Sequence, residues 1–335
     1  MSNWIGKNGP LMIAEIGGNH EGDFEYAKKL TQLAIESNVD YIKFQMYSGD
    51  SLVSPVENPA RNKHFKKFEL NHQHYIELAE MCQVGGVGFM ASVWNPDYFE
   101  WIDQYMDIYK IGSGDMTAYP VLEATAALGK PIILSTGLSS MNEVLDAIEF
   151  IQSCNVKYKD PEFLSVLQCT SMYPIPFDFA HLSVMNEFTK KTGLPVGYSD
   201  HTEGSYALEV AVALGAKILE FHFTDSREGK DFRDHKVSLT RDEVLELNEK
   251  IVEINKLKGS KIKEPQSVEG DHLITFRRAI YPATDLPKGT TLVADNLVYL
   301  RPNHGIDARD YKKVIGKTLQ EDVKAFEKLN WNILK

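Results

Sequence analysis

The 335-residue chain is 43% hydrophobic and sets 36 lysines and arginines against 47 acidic residues, for a formal net charge of −11. No apolar run approaches the ~20 residues that span a bilayer, and the acidic balance argues against a nucleic-acid surface while leaving room for a local basic pocket. Cys82, Cys154 and Cys169 are odd in number and widely spaced. That fits a reducing cytoplasm and neither a disulfide frame nor a cysteine metal site. The start, Met1 to Trp4, shows no charged-then-apolar signal pattern, so a cytoplasmic globular protein with no membrane partner is expected.

The first predicted strand is Leu11–Ile16, followed by the loop Gly17–Asp23 and a helix over 24–37. A second strand, Asp40–Gln45, ends in Lys43 and Gln45. The polar segment 46–71 is long for a connection and reads as a lid or binding loop. A helix over 72–84 follows. Further strands are expected at 88–94, 107–113, 131–137, 163–170, 194–198 and 216–223, separated by helices of ordinary length. The helix between the last two of these strands, 206–215, closes on Gly215, a residue suited to a left-handed C-cap. Eight strands alternating with helices over about residues 11–256 predict a (β/α)8 barrel. The runner-up is a doubly wound open sheet, although no strand-linked GxGxxG supports a dinucleotide fold.

Polar residues fall at the C-terminal ends of these strands, where barrel active sites are built. They include Glu21, Lys43, Gln45, Ser92, Lys110, Ser113, Ser135, Tyr173, His201 and His222. Lys43 and Lys110 sit within apolar strands, and a buried lysine demands an anion. With the serines they form either a phosphate or carboxylate cradle or ion pairs across the barrel. His201 and His222 end consecutive parallel strands and emerge at one face, as a divalent-metal pair or as two structural histidines.

After the barrel, 257–278 is polar and punctuated and reads as a linker. Residues 279–335 follow as short strands at 279–283, 286–290 and 297–302 with turns between them. A module of this size is small for an independent core and gains from docking on another surface.

The segments Ile13–Gly22, Ile42–Gln45, Tyr109–Gly114, Leu134–Gly137, Cys169–Pro174, Ser199–Thr202 and Glu220–Thr224 together resemble the sialic acid synthase family. Leu300–Pro302 and Gly316–Lys317 resemble its antifreeze-like (SAF) domain. The likeness covers nearly the whole chain, in order.

It implies a TIM barrel with a C-terminal SAF domain. It also implies condensation of phosphoenolpyruvate with the open-chain aldehyde of an N-acetylated amino sugar such as N-acetylmannosamine, with release of phosphate. A divalent metal, Mn2+ or in its place Mg2+ or Co2+, would be held by His201 and His222. Lys43, Ser92, Lys110, Ser113 and Ser135 match phosphoenolpyruvate contacts. Glu21 matches a proton-transferring carboxylate. Gln45, Asp115, Tyr173, Asp234 and Arg301 match the sugar side, with Arg301 delivered by the SAF domain in a domain-swapped homodimer.

The chain departs from that pattern at Asp115, where glutamate is usual, at Ser171, where asparagine is frequent, and at Phe232-Arg233 before Asp234. All three departures fall on the sugar side, so a modified sugar leading to legionaminic or pseudaminic acid is the alternative acceptor. A phosphosugar aldolase or isomerase, or a non-catalytic carbohydrate-binding protein, stands as a more remote reading.

Overall fold

The computed structural model describes residues 2–335 and resolves them into two compact units, the first ending at Gly259 and the second spanning 260–335. The first unit opens with a short strand β1 (Ile5–Gly6) that pairs antiparallel with β2 (Gly9–Glu15). From β2 onward eight parallel strands close on themselves. They are β2, β3 (Tyr41–Met46), β4 (Gly88–Val93), β5 (Tyr109–Ile111), β6 (Ile132–Ser135), β7 (Leu164–Cys169), β8 (Val196–Asp200) and β9 (Ile218–His222). Pairing runs in sequence order and β9 returns to β2. This is the expected (β/α)8 barrel.

Period-two alternation sorts each strand into an inner and an outer face. In β2, Leu11 and Ile13 belong to an inner apolar cluster with Trp4, Met90, Ile108, Ile133, Leu167 and Ile218. Met12 and Ala14 face the outer shell of helices with Phe44, Phe89, Leu134 and Phe221. The inner cluster fills the N-terminal half of the lumen. The next inward position toward the C-terminal end is polar in nearly every strand: Glu15, Lys43, Ser92, Lys110, Ser135, Ser199 and Glu220, all buried. Packing therefore seals the barrel below and leaves a polar floor above.

The helices of the first unit are α1 (Phe24–Glu36), α2 (Gly49–Leu52), α3 (Pro59–Phe68), α4 (His72–Val84), α5 (Phe99–Ile102), α6 (Tyr119–Ala127), α7 (Met141–Cys154), α8 (Val184–Thr192), α9 (Tyr206–Leu214) and α10 (Arg241–Lys258). Local signals set their ends. Asp23 accepts the Tyr26 N–H at the start of α1, and Ser140 with Glu143 forms a capping box on α7. Gly215 ends α9 at φ +102°, a left-handed turn that glycine adopts without strain. The segment 46–71 differs from the loop read in the sequence. It carries α2 and α3, the second started by Asn58, which caps the Arg61 N–H, and by Pro59 in the first turn.

In the second unit, β10 (Ala279–Pro282) pairs antiparallel with β11 (Leu297–Leu300). Ile280, Leu292, Val314, Leu319 and Leu329 form its core. The strand expected at 286–290 is reduced to an isolated bridge between Leu286 and Val323, because Pro287 lacks an N–H and Gly289 turns the chain at φ +84°. Among the described residues no helix is long and apolar enough to cross a membrane, and Cys82, Cys154 and Cys169 are all free.

Candidate active site

The floor of the C-terminal face is built from charges. Lys43 pairs with Glu15 and lies 3.8 Å from Glu220, while Lys110 lies 3.4 Å from the other Glu220 oxygen. All four side chains are almost completely buried. Ser199 donates to Glu220 at 2.9 Å and Gln45 donates to Glu15 at 2.8 Å. Of the two readings left open for the lysines, the structure shows the ion pairs.

Burial opposes every one of these charges. It pushes the Glu15 carboxyl up, with Lys43 only partly countering it. It pulls Lys110 down, with Glu220 only partly offsetting it. For Lys43 the two carboxylates outweigh burial, and its pKa is raised. Two cations and two anions in one low-dielectric pocket are balanced but held at a high desolvation cost.

Around them sit the serines. Ser92 and Ser135 are buried, and the Ser135 hydroxyl has no hydrogen-bond partner. Ser113 lies just past β5 and accepts the Gly137 N–H at 3.0 Å. A Cβ on Gly137 would stand 2.8 Å from Ser113 Oγ and 2.3 Å from Ser171 Oγ. The strand-to-helix turn after β6 therefore needs glycine to bring these two hydroxyls together.

At the rim, the His201 and His222 rings lie 5.2 Å apart. His201 Nδ1 is 2.9 Å from the Thr170 carbonyl. That contact fixes the ring with Nδ1–H donating and leaves Nε2 free. His222 Nδ1 is buried without a hydrogen-bond partner, 4.0 Å from Asp234. Burial, joined by the charges of His201 and Lys43, holds His222 well below the usual imidazole range and so in its neutral, ligating form. Two imidazoles, one oriented by a backbone carbonyl, fit a divalent cation. For His201, burial is outweighed by Cys169 and the Thr170 carbonyl and the pKa is raised, so a metal there would displace a proton. Among the described residues no group of three His, Cys, Asp or Glu side chains gathers as a metal site. Water and substrate oxygens would complete such a shell.

The sugar-side candidates surround this pair. Tyr173 lies 4.0 Å from the His201 ring and edge-on to His222 at 5.7 Å. Arg233 sits over Tyr173 at 4.5 Å and its Nε donates to Asp234 at 3.2 Å. Burial pushes the Asp115 carboxyl up to about 6, against the pull of Lys110 and the Trp94 N–H. Glu21 stands apart from the floor. It is partly exposed, adopts φ +52°, and meets His235 Nε2 at 3.3 Å, while His235 Nδ1 is 2.7 Å from Thr224. Arg301 belongs to the second unit, over Phe276 at 5.5 Å and lining a hollow of about 420 Å3 with Tyr281, His304 and Phe326.

Sequence reasoning named the lysines and histidines but missed Glu15 and Glu220. The signal was present: each shares the inward phase of its strand, Glu15 with Leu11 and Ile13, Glu220 with Ile218 and His222. His235 was likewise missed, because the loop that aims it at Glu21 has no periodicity.

The NeuB family profile matches residues 30–263 and the SAF domain profile residues 277–332. The chain is 33% identical over 335 residues to an uncharacterized protein of Methanocaldococcus jannaschii, covering 99% of this chain and 96% of that one. It is 32% identical over 330 residues to the N,N'-diacetyllegionaminic acid synthase of Campylobacter jejuni, covering 95% and 98%. Among solved structures, the N-acetylneuraminic acid synthetase of Leptospira borgpetersenii, in complex with citrate, superposes with a TM-score of 0.73 at 31% identity over 80% of this chain and 92% of that one. A closed barrel, a SAF domain and near full-length relatives agree: the chain belongs to the NeuB family, the nonulosonic acid synthases.

Proposed function

We propose that this protein joins phosphoenolpyruvate to the open-chain aldehyde of an N-acylated amino sugar and releases phosphate, a transferase reaction carried out in the cytoplasm. The observation that carries the reading is the floor: two buried lysines, Lys43 and Lys110, converge beside hydroxyls at the C-terminal end of the barrel, next to a histidine pair. A doubly charged, carboxylate-bearing phosphate ester is the ligand that such a cradle suits.

In this reading Lys43 and Lys110 hold the phosphate and carboxylate of the donor, which replaces the ion pairs they make with Glu15 and Glu220. Ser135, whose hydroxyl lacks a partner, and Ser92 and Ser113 supply donors to the same anion. The floor is closed to bulk water by the inner apolar cluster beneath it, so these contacts act at low dielectric. A divalent ion, Mn2+ with Mg2+ or Co2+ as substitutes, held by His201 and His222 would polarise the aldehyde oxygen and orient a water. Asp234, Tyr173 and Gln45 position the sugar around that point. Glu21, aimed by its contact with His235, moves the proton on the sugar side, and Glu15, whose neutral form burial favours, holds one on the donor side. Arg301 acts on the acyl group of the sugar, each copy serving the other subunit's barrel in a homodimer.

Phosphate release from phosphoenolpyruvate with Mn2+, across 2-acetamido and 2,4-diacetamido sugars, tests the proposal. Release with one of them supports it and identifies the acceptor. Donor binding without release from any sugar would refute the synthase assignment.

A further inference from the structure

The mouth of the barrel carries cations that the donor cradle leaves unused. Helix α3 holds Arg61, Lys63, His64, Lys66 and Lys67 within ten residues and no acid. Lys63, His64, Lys66 and Lys67 line an open hollow of about 510 Å3. Lys66 pairs with Asp50 at 2.7 Å. Among the described residues Arg61, Lys63 and Lys67 make no ion pair; Arg61 and Lys67 lie over aromatic rings instead.

The same helix leans on the loop that carries the sugar-side residues. His64 lies 6.0 Å from Phe232 and Phe68 lies 5.0 Å from it. The next residue is Arg233, whose side chain is 65% exposed. Its Nε is committed to Asp234 and its face to Tyr173, which leaves the terminal NH2 groups without a hydrogen-bond partner among the described residues. His64 registers the crowding: after burial, Arg233, Lys67 and Arg61 hold its pKa down, with only Asp234 opposing them. Like charges gathered with so little counter-charge, in a chain with acid to spare, are an electrostatic cost that a bound anion would remove.

We propose that this rim, Arg233 with Lys63 and Lys67, binds a phosphate monoester on the acceptor, at the end of the sugar remote from its aldehyde. The proposal rests on the synthase reading and adds to it an anionic acceptor. A guanidinium presents a planar fork matched to phosphate oxygens. Its reach is also right. The contacts of 4.5 Å from Arg233 to Tyr173 and 4.0 Å from Tyr173 to His201 keep the guanidinium within about 8.5 Å of the His201 ring, an upper limit. That is comparable to an extended six-carbon chain with its ester oxygen.

The test compares N-acetylmannosamine with its 6-phosphate as acceptors. The expected result is a kcat/KM at least a hundredfold higher for the ester. Arg233→Met should narrow that preference to tenfold or less. Lys63→Ser with Lys67→Ser, on an exposed helix face where folding is not at stake, should narrow it at least threefold. Titration calorimetry of the ester against the whole enzyme gives a readout apart from turnover, with binding at least tenfold weaker in Arg233→Met. Equal or better use of the neutral sugar, or a preference that survives Arg233→Met, overturns the rim and leaves the synthase reading intact. Binding of inorganic phosphate at the rim with no preference between the two sugars overturns it as well. No phosphate release with either sugar, while a 2,4-diacetamido sugar supports release, overturns this proposal alone; no release from any of these sugars, while phosphoenolpyruvate binds, refutes the synthase reading with it.

Discussion

Glu220→Gln removes one charge and almost no volume from the barrel floor. Glu220 stands 3.4 Å from Lys110 and 3.8 Å from Lys43, and among the described residues no other carboxylate pairs with Lys110. Lys43 keeps Glu15. Breaking a buried pair by deleting one partner typically costs about 3–5 kcal/mol. Burial already opposes the Lys110 charge, so Lys110 can shed its proton and limit the cost to about 3 kcal/mol, the low end of that range. For a barrel of this size the loss corresponds to a fall in Tm of about 6–12 °C. An anion in the cradle replaces the missing carboxylate. Saturating phosphoenolpyruvate should therefore raise Tm more in the variant than in the wild type, by mass action on the folded state. Near-UV circular dichroism melts with and without the donor measure both quantities. An unchanged Tm, or equal shifts on adding phosphoenolpyruvate, would refute the account of the floor as a cradle whose carboxylates stand in for its ligand.

His222→Ala should leave the barrel folded while Mn2+ binding, followed by electron paramagnetic resonance, weakens at least a hundredfold and metal-dependent turnover disappears; full binding would remove the metal assignment. Lys110→Ala should raise the KM for phosphoenolpyruvate far more than that for the sugar, and the reverse pattern would move the cradle elsewhere. Asp115 ionises near 6 in the folded protein, above its ordinary 3.8. Its ionisation therefore costs stability as pH rises from about 4 through 6, and the cost is complete above that window. Discounted for partial exposure, this predicts that Asp115→Asn is about 2 kcal/mol more stable than the wild type at pH 7.5 and within about 0.5 kcal/mol of it at pH 4; melts at the two pH values that show no such difference would contradict the environment described for Asp115.

The barrel was legible because each strand is short, apolar and followed by a helix whose ends carry their own signals, as Gly215 does after α9. The lysines and histidines were legible because they interrupt apolar strands. Glu15 and Glu220 interrupt them equally, but they were passed over because a carboxylate beside a lysine reads as neutralisation and not as part of a site. Only closure of the sheet, with β9 beside β2, shows that Glu220 stands between two lysines from β3 and β5. The contact of Arg233 with Tyr173 joins residues 60 positions apart in loops, where no periodicity constrains the side chains. Helix α3 was missed because its composition is that of a solvated loop. It is organised by Asn62, whose side chain donates to the Gly49 and Val53 carbonyls, and by Phe68 packed on Phe232.

The floor is neutral before the substrate arrives, with two lysines against two glutamates. A multiply charged anion entering it would leave an excess of buried negative charge unless a carboxylate withdraws or takes up a proton. Withdrawal is resisted for Glu220, which accepts from Ser199 within the strand layer, and for Glu15, which accepts from Gln45. Protonation is favoured at Glu15, where burial already pushes the pKa up and Lys43 only partly opposes it. A bound anion drawing Lys43 toward itself would raise that pKa further. Binding of phosphoenolpyruvate should accordingly take up about one proton, since a carboxylate and an anion sharing one site cannot both stay ionised. Calorimetric titrations near pH 7 in buffers of different ionisation heat read the uptake directly, and Glu15→Gln should abolish it. A wild-type enzyme that binds the donor with no buffer dependence would mean that the carboxylates move aside instead. Glu15 would then be a structural counter-ion with no proton to give.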